Sequence, residues 1–178
     1  HHALYASHAS SMPDLIVGHG VLGRLLARLA VMLGSERPTV WETDERRRAG
    51  AAGYDVVDPA ADDRRDYRLI VDVSGDTQIL DKAMQHLDRK GEIVLAGFYA
   101  QPLSFAFAPA FMREASISIA AEWGDKDLRM VRHYTDVGAL SLDGLISHRL
   151  PAGQAETAYS MAFSDPDCLK VVLDWRTT

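Results

Sequence analysis

Three glycines stand in the run Gly18-His19-Gly20-Val21-Leu22-Gly23, between the apolar segment Leu15-Ile16-Val17 and a stretch with helical periodicity. A strand that enters a helix through glycines at this spacing has few shapes open to it. The first glycine permits a tight bend, the second keeps the backbone bare, and the third lets the helix lie close against the strand it has just left. The bend also directs unpaired amides, here of Val21 and Leu22, and the positive end of the helix dipole outward, where a diphosphate would be held. Glycine-rich turns are common, so the weight of the motif rests on the residues that come after it in the chain.

Leu22, Leu25, Leu26, Leu29, Met32 and Leu33 recur at spacings of three and four, and Gly34 then supplies a helix terminator. Thr39-Val40-Trp41 reads as a second strand. It ends at Glu42, roughly 20 residues beyond the last glycine, where an acid accepts hydrogen bonds from the hydroxyls of an adenosine ribose. Strand, turn, helix, strand and acid in that order indicate a dinucleotide-binding unit rather than a purely structural βαβ unit. A carboxylate at the ribose also disfavours the extra phosphate of NADP, so NAD is the expected cofactor, although Arg46 and Arg47 stand close enough in sequence to weigh the other way.

Alternation of strand and helix continues. We expect a short helix over 44–50, strands over 54–57, 69–73 and 92–96, a polar loop over 58–66, and a helix from Ile79 to Leu87 closed by Gly91. Segments 103–108 and 116–121 read as further strands, and a helix over 125–137 is expected to bury Leu128, Val131 and Tyr134. This order predicts an α/β fold with a Rossmann-type, doubly wound parallel sheet.

Composition bounds the function. The chain has 178 residues, 47% hydrophobic and 25% charged, the profile of one ordinary globular domain. No apolar run approaches the roughly 20 residues of a membrane-spanning helix. A net charge of −6 argues against a nucleic-acid partner, and the basic run Arg46-Arg47-Arg48 is balanced by Asp44 and Glu45. With Cys168 as the one cysteine, no internal disulfide forms and a reducing cytoplasm is the expected location. His1, His2 and His8 lack metal-ligand spacing and no metal site is expected. His86, His133 and His148 read as surface or internally satisfied histidines. The chain opens without methionine, as though cut from a longer one, and residues 1–12 read as a linker helix carrying Ala3, Leu4, Tyr5 and Ala6.

Gly18 to Gly23, Trp41-Glu42-Thr43-Asp44, Ala52-Gly53-Tyr54-Asp55-Val56-Val57-Asp58, Asp72-Val73-Ser74-Gly75 and Lys90-Gly91-Glu92-Ile93-Val94-Leu95-Ala96-Gly97 follow one another as in the nucleotide domain of medium-chain dehydrogenases, which this chain resembles over most of its length. Gly97-Phe98-Tyr99, Phe105-Ala106-Phe107-Ala108-Pro109-Ala110-Phe111-Met112 and Asp165-Pro166-Asp167-Cys168-Leu169-Lys170 most resemble the branch of that family that oxidises the ring-A hydroxyethyl group of a bacteriochlorophyllide to acetyl. The resemblance implies that residues 1–178 are the NAD-binding domain and that 141–178 is a C-terminal segment packing on the family's GroES-like catalytic domain, which has no counterpart in this sequence. It implies a pyrophosphate cradle of Gly18, His19, Gly20, Val21, Leu22 and Gly23. It places Glu42 at the ribose, Arg47 over the adenosine, Ser74 and Gly75 along the ribose path, and Ala96, Gly97 and Phe98 at the nicotinamide. A proton acceptor is not nameable from these residues.

Tyr99 and Trp123 are candidates for contact with a flat tetrapyrrole, each with packing as the plainer alternative. His19 departs from the small residue many relatives carry; its side chain either points at the cofactor phosphates or a substrate carboxylate, or faces solvent. Trp175 is expected to pack on the catalytic domain. The apolar segments 103–108 and 116–121 lack the lysines that guard exposed strand edges, which suggests a homodimer joined edge to edge, with the surface near Leu4, Tyr5, Val172 and Trp175 as a rival. Two other functions stay open: another medium-chain alcohol dehydrogenase or quinone/enone reductase, and a dinucleotide-sensing module without chemistry.

Overall fold

The structure, a computed structural model, describes residues 2–5 and 12–176. They divide into two compact units, one up to Ser141 and one from Leu142 onward. In the first unit the strands are β1 (Leu15–Val17), β2 (Thr39–Trp41), β3 (Asp55–Val57), β4 (Tyr67–Asp72), β5 (Leu87–Leu95) and β6 (Ser116–Ile119). The helices are α1 (His2–Tyr5), α2 (Val21–Met32), α3 (Ile79–His86), α4 (Phe107–Arg113) and α5 (Asp125–Asp136). All six strands run parallel in the order β3-β2-β1-β4-β5-β6, the doubly wound sheet expected from the sequence.

Successive side chains of a strand point to opposite faces, and here both faces are covered. Ile16, Val40, Val71 and Val94 pack on one side with Leu26 and Leu29 of α2, with Val131 and Tyr134 of α5 against the same cluster. Leu15, Val17, Trp41, Ile70, Ile93 and Leu95 pack on the other with Leu80, Ala83 and Met84 of α3. The apolar runs of β1, β4 and β5 are thus the sequence of a two-sided core. Gly34 closes α2 as expected: at φ +96° its amide bonds the Val31 carbonyl while that of Ser35 bonds Ala30, which satisfies two of the helix's last carbonyls.

The structure corrects several expectations. Residues 103–108 are not a strand. Leu103, Phe105 and Phe107 alternate as a strand would, but Pro102 and Pro109 each lack a ladder donor; Pro109 instead falls in the first turn of α4, where its missing N–H costs nothing. Gly91 does not close α3, which stops at His86; Leu87 is already extended beside Tyr67. A Cβ at Gly91 would lie 2.7 Å from the Leu87 side chain, so close approach explains the glycine. The expected helix over 44–50 is one 3-10 turn, Glu45–Arg47, capped by the Asp44 carboxylate on the Arg46 amide. Leu22 and Leu128 stand exposed rather than buried. On a 3.6-residue repeat, steps of three drift, and Leu128 lies about a third of a turn away from Tyr134.

Leu4 of α1 is buried in the core, which removes it from the rival association surface. Ala6, His1 and His8 lie outside the described residues, as does the Tyr5 side chain.

The second unit is a small βαβ unit: β7 (His148–Pro151), α6 (Ala155–Ser164) and β8 (Val171–Asp174), with β7 and β8 parallel. The Ser147 hydroxyl accepts from the Leu169 and Lys170 amides and fixes the chain at the entrance to both strands. Cys168 and Ala158 are buried and Trp175 is exposed.

Candidate functional site

A cleft of about 290 Å³ opens at the carboxyl ends of β1, β2 and β4, where strand order reverses and parallel sheets bind ligands. Gly18 begins its floor at φ +100°, and a Cβ there would sit 3.0 Å from the Ser74 backbone. Gly20 has an ordinary φ of −73°, and a Cβ would meet nothing within 4 Å. A Cβ on Gly23 would lie 1.8 Å from the Gly18 carbonyl oxygen. The three glycines therefore have three separate causes: a left-handed bend, open space facing the cleft, and contact between helix and turn. Open space beside a bare backbone at the start of α2 is a cradle that fits a diphosphate.

Glu42 follows β2 and its carboxylate is fixed on both sides. Oε2 accepts from the His19 amide at 3.2 Å and Oε1 from the Asp44 amide at 2.9 Å. Of the neighbouring arginines, Arg46 is paired with Asp44 at 2.8 Å and Arg48 with Asp58 at 2.6 Å, while Arg47 lines the cleft.

The His19 side chain takes neither expected course. It is fully buried behind the turn, with Nδ1 2.6 Å from the Arg47 carbonyl and Nε2 2.9 Å from the Tyr54 hydroxyl. Arg24 reaches under the same turn, Nε donating to the His19 carbonyl at 3.1 Å and Nη2 to the Arg47 carbonyl at 2.9 Å. Burial holds the imidazole pKa below its ordinary value.

Across the cleft, Asp72 ends β4 fully buried. Its Oδ1 accepts from the Ser74 amide and hydroxyl, and its other oxygen accepts from the Tyr99 hydroxyl. Burial pushes the Asp72 carboxyl up, and burial together with that carboxylate holds the Tyr99 hydroxyl far above the phenol range. Tyr99 is thus turned inward to brace the ends of β4 and β5. A Cβ on Gly75, at φ +74°, would come 3.0 Å from the Phe98 carbonyl, so those two strand ends touch.

Gly18, His19, Gly20, Glu42, Arg47 and Ser74 all border the cleft. Val21, Leu22 and Gly23 form the first turn of α2, and Ala96, Gly97 and Phe98 follow β5 beside Gly75, with Phe98 exposed. Trp123 is also exposed, next to the start of α5. Sequence reading passed over Thr43, Pro59, Asp76, Ile79 and Lys82, which line the cleft as well. They follow β2, β3 and β4, and the rule that ligands lie beyond the carboxyl ends of parallel strands was the signal that could have found them. Among the described residues no cluster of three or more potential metal ligands occurs, and no helix is long and apolar enough to cross a membrane.

This sheet order with its glycine turn and acid defines the nucleotide-binding class of Rossmann domains, as found in dehydrogenases. An alcohol dehydrogenase from Escherichia coli complexed with NADH superposes with a TM-score of 0.78 at 20% identity over 90% of this chain and 51% of that one. A zinc-binding dehydrogenase from Sinorhizobium meliloti bound to NADP gives 0.76 at 19% identity over 89% and 52%. No family model matches the chain. Its sequence is nevertheless similar to proteins named 2-desacetyl-2-hydroxyethyl bacteriochlorophyllide A dehydrogenase. It is 58% identical to that protein of Cereibacter sphaeroides over 94% of this chain and 52% of the relative, and 57% identical to that of Rhodobacter capsulatus over 98% and 55%. The chain spans about half the length of the curated relatives it matches.

Proposed function

We propose that the chain is the NAD-binding half of a dehydrogenase that oxidises the ring-A hydroxyethyl group of a bacteriochlorophyllide to acetyl in bacteriochlorophyll biosynthesis. The observation that carries this reading is the identity of 58% to a relative of that name over 94% of this chain. Gly18 to Gly23 would hold the pyrophosphate, Glu42 the adenosine ribose, Arg47 the adenosine side, Ser74 and Gly75 the path between, and Ala96 to Phe98 the nicotinamide end. When bound, the nicotinamide supplies a hydride acceptor for the carbinol carbon. The chain's own part is positional: an open backbone at Gly20, a fixed carboxylate at Glu42, and a part-buried Asp72–Tyr99 contact that keeps two strand ends together.

NAD is favoured over NADP because a carboxylate at Glu42, bound to the adenosine ribose, would repel a 2′-phosphate, and because Arg46 and Arg48 are engaged with Asp44 and Asp58. Tyr99 and Trp123 stay as tetrapyrrole contacts in this reading: Trp123 through its exposed ring, Tyr99 only through its ring, since its hydroxyl is engaged. The enzyme would draw on the cytoplasmic nicotinamide pool and act as a homodimer joined through β6.

The test uses the full-length enzyme of which this chain is part. With NAD and the hydroxyethyl bacteriochlorophyllide, we expect NADH to appear in step with an acetyl product lighter by two hydrogens. Binding of NADH without turnover of the tetrapyrrole, but with turnover of a simple alcohol or enone, would replace this reading with a different dehydrogenase.

A further inference from the structure

We propose that His19 is a positioning residue for the adenosine end of the cleft, a brace that locates Glu42 and the 45–47 turn against the glycine turn. The inference rests on the dinucleotide reading above.

A carbonyl oxygen only accepts, so the 2.6 Å contact with the Arg47 carbonyl places the ring hydrogen of His19 on Nδ1. Nε2 of the neutral ring is then the acceptor, and the Tyr54 hydroxyl at 2.9 Å donates to it. Each ring nitrogen is matched to one partner of the right kind. The main chain of the same residue holds the acid, through its amide on Glu42 Oε2, and its carbonyl receives Arg24 Nε. Arg24 then grips the Arg47 carbonyl a second time. His19 therefore ties Glu42 and the 45–47 turn to the glycine turn that carries it, although its ring is fully buried.

Replacing the ring with a small side chain removes one donor from the Arg47 carbonyl and leaves the Tyr54 hydroxyl, on a residue only 4% exposed, without its acceptor. The 45–47 turn loosens and the main chain of residue 19 is less firmly held, so its amide on Glu42 Oε2 loses its fixed position and the carboxylate is left held mainly by the Asp44 amide on Oε1. A bulky residue between the first two glycines is explained by this inward role.

The experiment measures binding of NADH, NADPH and ADP-ribose to this chain by calorimetry, for wild type, His19→Ala, His19→Asn and Tyr54→Phe. ADP-ribose carries the adenosine end without nicotinamide. We expect His19→Ala to weaken NADH and ADP-ribose by the same factor, about tenfold, and to narrow the preference for NADH over NADPH. His19→Asn, whose amide nitrogen donates where Nδ1 did, should recover most of the loss, which a role in packing alone would not predict. Tyr54→Phe keeps the ring and removes the hydroxyl, so it should give a smaller loss, about threefold, and it keeps the proposal open to refutation if His19→Ala does not fold. Coupling is the sharper measure: adding Glu42→Ala to His19→Ala should cost little beyond the larger single effect. Additive losses, or Asn no better than Ala, overturn the positioning role. A wild-type chain that binds neither NADH nor ADP-ribose overturns the dinucleotide reading itself, whereas wild-type binding with unchanged affinity in His19→Ala and Tyr54→Phe overturns only the brace.

Discussion

Gly20 and Gly23 are separated by one turn of helix, yet substitution should act on them in opposite ways. Gly20→Val adds a branched side chain into space that is empty in the folded chain, so stability should hold within about 1 kcal/mol while NADH affinity falls by about a hundredfold or more. Gly23→Ala puts a methyl 1.8 Å from the Gly18 carbonyl oxygen, which forces α2 off β1. Its cost should appear as lost stability, about 2 kcal/mol or more in a denaturant titration, with binding lost as a consequence. Thermal melts paired with calorimetry separate the two. Glu42→Ala should bring the affinities for NADH and NADPH together, and tighter binding of NADPH than NADH by wild type would overturn the NAD assignment. The places of these residues in the fold were legible in the sequence because glycine spacing and the position of an acid after a strand are local facts. The direction of the His19 ring was not, since it depends on Tyr54 and Arg47, which only the fold brings beside it.

At the scale of elements, β1, β2, β4 and α2 could be read from pattern because a strand covered on both faces is continuously apolar and a helix on a sheet repeats at three and four. Residues 103–108 misled for the converse reason. Two-residue alternation was present, but β6 takes the place beside β5, and Pro102 and Pro109 at the two ends of the segment each lack a ladder donor. The buried turn between β1 and α2 carries a pH dependence of its own. The charged form of His19 is disfavoured in the folded chain because burial, with Arg24 and Arg28 nearby, outweighs the Arg47 carbonyl and Glu42, which favour it. Unfolded, the ring titrates near 6.5, so unfolding below that pH takes up a proton that the folded chain resists. His86, also held down by burial, adds in the same direction. The stabilising share of both is complete above 6.5 and is lost as pH falls toward their lowered values. Denaturation midpoints should therefore drop between about pH 7 and about pH 5. His19→Asn should reduce that slope and leave the part due to His86, and an unchanged slope would show that His19 is not the group titrating.

Beyond single elements, the proposed homodimer would depend on which strand edge the sheet leaves open. With 103–108 removed as a strand, β6 is the outermost strand on its side, and β3 closes the other. Its sequence, Ser116-Ile117-Ser118-Ile119, carries no charge, and Ile119 is 77% exposed. An edge that is short of charge and apolar on its open face is a template for another strand. Beside it, Phe107, Phe111, Met112 and Ile117 line an apolar groove of about 650 Å³, with Arg89 and Glu114 paired at its rim. Antiparallel pairing of two β6 strands about a twofold axis would continue one sheet into its mate and bring both grooves under cover. Ile117→Lys places a charge on that edge without touching the dinucleotide cleft. Light scattering should then show a shift from dimer to monomer at equal concentration, with NADH affinity unchanged. If the dimer persists in this variant, its interface lies elsewhere than β6.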